Sequence, residues 1–364
     1  MMNKSTLFRI SVVGLACGLA TACASKIDRF TLDRVLVRGS TYQDAALICA
    51  TGEALSIPLA SVTSEKKPPH RALVMSNVSA AMCAEYDVWE AKVQGALARS
   101  NQSGPALVAM VKDARIQEER AHSEAARRFS DAFAHAEAFW GPVGEGCPKI
   151  RPDDELTYML GLYAGLAGAI HDKAGGGQVG VPMDMLGRVA RGCECLDNDQ
   201  WWQVPKAFQA AAWATLANSE NGDPWQMLDE ASDEGDKTGV ALARAVQVMM
   251  AANSGRTEDL ERGIRAHAAA LAEGRDPAWL AFDDYANQVI VNESDLLWAS
   301  DAGHRTPIFG ELPSDVQQDD TPSLDFDPFA DSEDPFGSDE PSDEEGSSDD
   351  GGSSEPDPAN PQED

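Results

Sequence analysis

Apolar residues recur three and four positions apart through most of this chain, and that spacing is buried only by packing helix on helix. Phe129, Phe133, Ala136 and Trp140 stand at i, i+4, i+7 and i+11 and define one helical face. Arg115, Glu118, Glu119, Arg120, Glu124, Arg127 and Arg128 cover the remainder, with Glu124 and Arg128 in the favourable i,i+4 order. Gly141-Pro142 ends this helix, expected over 113–140. Leu156 to Ile170 is almost wholly apolar, but 15 residues fall short of the ~20 needed to span a bilayer. It reads as a buried central helix, and its Gly161, Gly165 and Gly168 share a face that lets another helix come close.

Helix signals continue to residue 300. Val181-Pro182 opens a helix over 182–195, and Pro205 marks the regular start of one placed over 199–217. Asp223-Pro224 supplies an N-cap followed by proline at N1. Thr238 to Ala252 and residues 256–273 follow, the second opening on Glu258 and Asp259 at the positive end of the helix dipole. After Asp276-Pro277, one face collects Trp279, Phe282, Ala286, Val289 and Leu296. Starts near 182, 223 and 256 are spaced as in helical-hairpin solenoids. The isolated strand candidate is Phe30 to Val37. The expectation is an all-α repeat domain over 41–312, preceded by a linker over 23–40.

Charge divides the chain. All 29 Lys and Arg precede residue 313, whereas 19 of the 60 acidic residues follow it. A net charge of −31 leaves no basic face for a nucleic acid. Residues 313–364 hold mostly Asp, Glu, Ser, Pro and Gly, too little apolar surface to fold, and are expected to be a disordered acidic tail. Its Asp327-Pro328-Phe329 and Asp334-Pro335-Phe336 are read as incidental to a solvating extension. At the other end, Lys4 and Arg9 precede an apolar stretch from Ile10 to Ala20, the pattern of a signal peptide over 1–22. Ala20-Thr21-Ala22-Cys23 is similar to a bacterial lipobox, which makes Cys23 the lipidation candidate. A lipid there anchors the chain to a membrane without spanning it, and Ala24 in place of Asp favours the periplasmic side of the outer membrane.

Five cysteines remain for an oxidising compartment: Cys49, Cys83, Cys147, Cys193 and Cys195. An odd count allows two disulfides and one spare thiol, with Cys147 expected to pair with Cys193 or Cys195. The lone C-x-C pair lacks the further ligands of a zinc site. Catalytic patterns are missing: there is no G-x-S-x-G, no H-E-x-x-H and no P-loop. His122 and His135, on one expected helix, are about 20 Å apart. Gly175 to Gly180 lacks the Lys and Ser/Thr of a phosphate loop and reads as flexible. No enzyme activity, metal or cofactor is expected.

Several stretches, in their order along residues 70–300, resemble the T-component lipoproteins associated with TRAP (tripartite ATP-independent periplasmic) transporters. They are Glu119-Arg120-Ala121 through Arg127-Arg128-Phe129-Ser130-Asp131-Ala132, then the Tyr158-to-Ile170 helix with Asp172, then Pro182 to Leu196 with the turn Gly192-Cys193-Glu194-Cys195-Leu196-Asp197. Met227-Leu228-Asp229-Glu230-Ala231, Val240 to Ala251, and Ala286-Asn287 with Leu296-Leu297 complete the match. The resemblance implies a tetratricopeptide-like α-fold that oligomerises, encloses a channel, and docks a periplasmic solute-binding protein and its permease. The other class of function carried by the same repeats is a general envelope-assembly scaffold. Trp140, Tyr158, Tyr163, Trp201, Trp202 and Trp213 are then either core or the lining of an apolar ligand channel. Of these, Trp140, Tyr158, Trp201 and Trp202 are the binding candidates. Adjacent side chains diverge in a helix or strand, so one of Trp201 and Trp202 is expected at a surface or interface.

Overall fold

The computed structural model describes residues 26–61, 68–220 and 222–316. The signal peptide, Cys23 and the tail from 317 onward lie outside the described residues. Every regular element described is helical. Helix α1 covers residues 26–39, with a π-helical stretch at Thr31–Leu36 and a short last turn at Val37–Gly39. The helices α2 (Ala45–Ser61), α3 (His70–Asn101), α4 (Gly104–Trp140), α5 (Glu155–Ala174) and α6 (Asp184–Cys193) follow. Then come α7 (Val204–Thr215), α8 (Pro224–Asp236), α9 (Leu242–Asn253), α10 (Thr257–Glu273) and α11 (Leu280–Asp301).

Two expectations near the N-terminus are corrected. Phe30 to Val37 is helix rather than strand, and the supposed linker is helical from Lys26. Tertiary contacts outweigh the β-branched composition that suggested a strand. Asp28 of α1 accepts the Ala72 N–H at the start of α3 (3.1 Å) and faces the buried Arg71, whose Nη1 donates to Asp154 at 2.6 Å. Burial raises the pKa of Asp28, while the Ala72 N–H and Arg71 act in the opposite direction. The chain beyond α1 is held too, since Ser40 C=O accepts the Ala281 N–H of α11 and Asp284 accepts the Ala45 N–H. At the other boundary, Pro313–Asp315 forms a 3-10 turn. Asp315 accepts from Arg265 at 2.9 Å, so order persists a few residues into the span read as tail.

α3 and α4 form a long antiparallel hairpin around Gln102-Ser103, where Gly104 (φ +68°) and Pro105 break and restart the helix. α5 lies at the centre against α3, α4, α6 and α7. Its glycine face performs the close packing expected of it: a Cβ on Gly161 would lie 2.7 Å from the Cβ of Ala136, and one on Gly165 would lie 2.7 Å from Phe133 and Val189. The later helices pack mainly on their sequence neighbours, as in repeat proteins. α11 departs from this pattern by reaching back to α2 and α3 as well as to α9 and α10. Thus helices distant in sequence surround a common interior.

The disulfides fasten two corners. Cys49–Cys83 ties α2 to α3, and Cys147–Cys195 ties the segment after α4 to the turn after α6. Cys193 is the spare thiol. It is buried, and burial pushes its pKa up, which removes its thiolate reactivity. The pairing of Cys49 with Cys83 depends on the α2–α3 packing and has no signal in sequence spacing.

The glycine face sets two opposite expectations. Alanine is a better helix former than glycine by about 1 kcal/mol. Even so, Gly161→Ala should lower the unfolding free energy by about 1–3 kcal/mol, because the Ala136 Cβ moves only if α4 moves. Gly187→Ala on α6, where the nearest atom is Arg191 Nη1 at 3.6 Å, should raise it by up to ~1 kcal/mol. Urea unfolding of the two variants should give opposite signs.

Candidate functional site

The interior that the helices surround is hollow. A cavity of about 940 Å³ lies among them, at the upper end of the ~300–1,000 Å³ range of small-molecule sites. Val78 and Met82 of α3, Met159 of α5, Phe208 of α7, Val246 of α9 and Val289 of α11 line its inner wall. Four methionines face it, counting Met75 and Met249. Such side chains are unbranched and adapt to irregular ligand shapes. The mouth lies where the lining residues are exposed, at α1 and the start of α2: Phe30 is 63% exposed, Tyr42 55% and Leu47 51%. Large apolar side chains left in water around an opening mark a binding surface.

One polar device reaches the wall. Tyr163 of α5 and Tyr285 of α11 both line the cavity, and their hydroxyls lie 2.6 Å apart. Tyr285 donates to Glu85 Oε2 at 2.6 Å, and Tyr163 Oη lies 3.1 Å from Oε1. Glu85, on α3, is 1% exposed. His171 Nε2 is 3.0 Å from its Oε1, and His171 Nδ1 is 2.9 Å from Nδ1 of His122 on α4. When His171 donates its Nε2 proton to the carboxylate as the neutral tautomer, its Nδ1 is an acceptor and His122 donates. Burial lowers the pKa of His122, with Glu118 opposing. Burial and then the Glu85 charge push both phenols well above their ordinary range. The tyrosines therefore stay protonated and spend their protons within the cluster, leaving lone pairs at the wall.

The sequence candidates lie elsewhere. Tyr158 is buried, with its ring 5.3 Å from the half-buried Trp140 in an edge contact between α4 and α5, and neither lines the cavity. Trp201 and Trp202 do not line it either, and the expectation that one is exposed is corrected: they are 6% and 5% exposed. The turn before α7 is neither helix nor strand. Trp202 (φ +52°) and Gln203 (φ +62°) are left-handed, so the divergence rule for adjacent side chains does not apply. Both rings join Trp279 in one cluster, with centroids 6.2 and 5.0 Å from it, and Trp201 Nε1 donates to Glu155 at 3.0 Å. Asn198 holds the turn, accepting the Gln203 N–H on its backbone oxygen and the Lys206 N–H on its side chain.

Of the six rings weighed in the sequence, Tyr163 alone lines the cavity. His122 and His135 do not face each other. His122 meets His171, and His135 meets His70 across 3.1 Å, its pKa lowered to about 4 by burial and by His70. The Gly175–Gly180 loop is pinned rather than free, because the Asp172 carboxylate accepts the N–H groups of Val179, Gly180 and Val181 at 2.7–3.0 Å. Sequence reasoning missed Glu85, Tyr285 and His171 as a group. The available signal was a charge-free stretch from Ala72 to Ala84 that ends on Glu85 within the same helix.

Compared with known proteins, this chain matches no protein-family model, no curated protein and no solved structure.

Glu85 should carry much of the cohesion of the site. Glu85→Ala strands two phenols and an imidazole and is expected to cost about 3 kcal/mol or more, whereas Tyr285→Phe should cost about 1–2 kcal/mol. Guanidinium unfolding followed by far-UV circular dichroism ranks them, and equal costs would contradict the central role of Glu85.

Proposed function

We propose that this chain is a lipid-anchored bacterial envelope protein that binds a small apolar ligand in its interior. In this reading its helices are tetratricopeptide-like hairpins, and it works beside a transporter, handing ligand to or from a periplasmic solute-binding protein and its permease, as the T-component resemblance implies. It acts by binding and not by catalysis. The single observation that supports the reading is the apolar cavity of about 940 Å³. A scaffold would need a concave outer face for a protein partner and has no use for a hollow core. An enzyme would need convergent polar groups open to substrate, whereas the polar cluster at the cavity wall spends its donors on itself.

Two measurements test the two halves of this function. N-phenyl-1-naphthylamine, a neutral probe that fluoresces in apolar surroundings, should bind the full chain. Ala245→Phe, which places a ring in the cavity from α9, should weaken it at least tenfold with the helical circular dichroism unchanged. Unaltered binding in that variant would remove the cavity from the function. Pull-down from detergent-solubilised membranes, with a tag inserted in the acidic tail, should recover a solute-binding protein together with a multi-span permease. Recovery of outer-membrane assembly factors instead would favour the scaffold.

A further inference from the structure

The charges on the cavity differ from those of the chain around it. Overall, 60 acidic residues outnumber 29 basic ones. Among the described residues that line the cavity there is no Asp, Glu, Lys or His, and the two charged side chains are Arg34 and Arg38. Both belong to α1 and both are exposed at the mouth. They stand four residues apart, with Phe30 four residues before Arg34. That places all three along one side of the helix, whether it turns with the α or the wider π period.

Among the described residues neither arginine has a carboxylate partner. Asp33 of the same helix pairs with Arg29 at 3.3 Å, Asp28 faces Arg71, and no described acidic side chain pairs with Arg34 or Arg38. Long surface cations ordinarily extend into water or find one of the many carboxylates. Here two guanidiniums, each with a planar fork of donors suited to a carboxylate, rim an opening whose other exposed members include Phe30, Tyr42 and Leu47. Behind them the walls are mainly hydrocarbon and thioether, with Thr51, Ser76, Ser79 and the two tyrosines among the hydroxyl-bearing members, and the Thr51 and Ser76 hydroxyls donate to carbonyls of their own helices. The tyrosine pair within the cavity directs its protons to Glu85, so it does not supply the donors an anion requires. An anionic group is therefore accommodated at the mouth and disfavoured in the depth.

We propose that the occupant is a single-chain fatty carboxylate, held tail-inward in the cavity with its carboxylate on Arg34 and Arg38. This rests on the apolar-cavity reading above and adds the head-group chemistry and the orientation. α1 carries the specificity and the inner helices carry the affinity. A neutral alcohol of equal chain length gains the burial but not the ion pairs, and a cationic amphiphile meets repulsion at the rim.

The test is displacement of N-phenyl-1-naphthylamine from the full chain at low ionic strength by laurate, 1-dodecanol and dodecyltrimethylammonium, which share one tail. Laurate should displace the probe at roughly tenfold lower concentration than dodecanol, with the ammonium compound weakest. In the double variant Arg34→Gln, Arg38→Gln, the preference for laurate over dodecanol should vanish, while the probe and dodecanol bind as before. Salt at 0.5 M should shrink the preference in the unaltered protein. Equal displacement by laurate and dodecanol, or a preference that survives in the double variant, overturns the proposal and leaves the apolar-cavity reading intact as long as the probe still binds. Failure of the probe to bind any form overturns both. Tighter displacement by phosphatidylglycerol than by laurate would assign the mouth to a diacyl phosphate head group. Dimerisation in light scattering that laurate does not reverse would assign it to a second copy of the chain. Either result overturns the proposal.

Discussion

The buried carboxylate of Glu85 is the constraint on which the arrangement of the long helices depends. A charge or polar head placed in a low-dielectric interior is tolerated only with its lone pairs occupied. The partners of Glu85 come from outside its own helix: Tyr163 and His171 from α5, and Tyr285 from α11. The His122 contact extends the set to α4. Four helices are therefore fixed in register by the need to satisfy one side chain. An apolar contact at the same place would tolerate sliding, whereas directed hydrogen bonds do not.

The fixed register makes the hollow interior possible. Helices that pack only by apolar faces tend to collapse until the space between them is filled. Here the central helix α5 is pressed tightly against α4 through Gly161 and Gly165 on one side, and it holds Glu85 and Tyr285 through Tyr163 on another. The remaining side of the wall, with α7, α9 and α11, is kept at a distance by the return of α11 onto α2 and α3. α1 then lies at the opening, fixed by the burial of Arg71 between Asp28 and Asp154.

The sequence showed the helices well and the site poorly, for physical reasons. Helical periodicity is a local signal, so the faces around Phe129 and Phe133 and the cap at Asp223, whose side chain accepts the Trp225 N–H, could be placed from the chain alone. The glycine face of α5 was legible because three glycines at helical spacing imply a close neighbour. α1 was misread because its helicity comes from contacts with α3 rather than from its own residues. The aromatic candidates failed as ligand residues because ring size alone does not distinguish a packing cluster such as Trp201, Trp202 and Trp279 from a cavity wall. Glu85 and Tyr285 are 200 residues apart, and no spacing rule joins them. The disulfide arithmetic fixed how many bridges could form, but only the packing of α2 on α3 selects Cys49 and Cys83 as partners.

The two bridges also bear on how a hollow fold persists. Side chains around a void lack the dispersion contacts that a filled core provides, so part of the cohesion must come from elsewhere. Cys49–Cys83 and Cys147–Cys195 close segments of 34 and 48 residues. In the chain-entropy account, loops of this size cost the denatured ensemble about 4 kcal/mol each. That stabilisation acts on the disordered competitor and asks nothing of the folded interior, so the space can stay open. Reduction of the bridges would raise the entropy of the unfolded chain, so a hollow fold of this kind depends on an oxidising environment for part of its persistence.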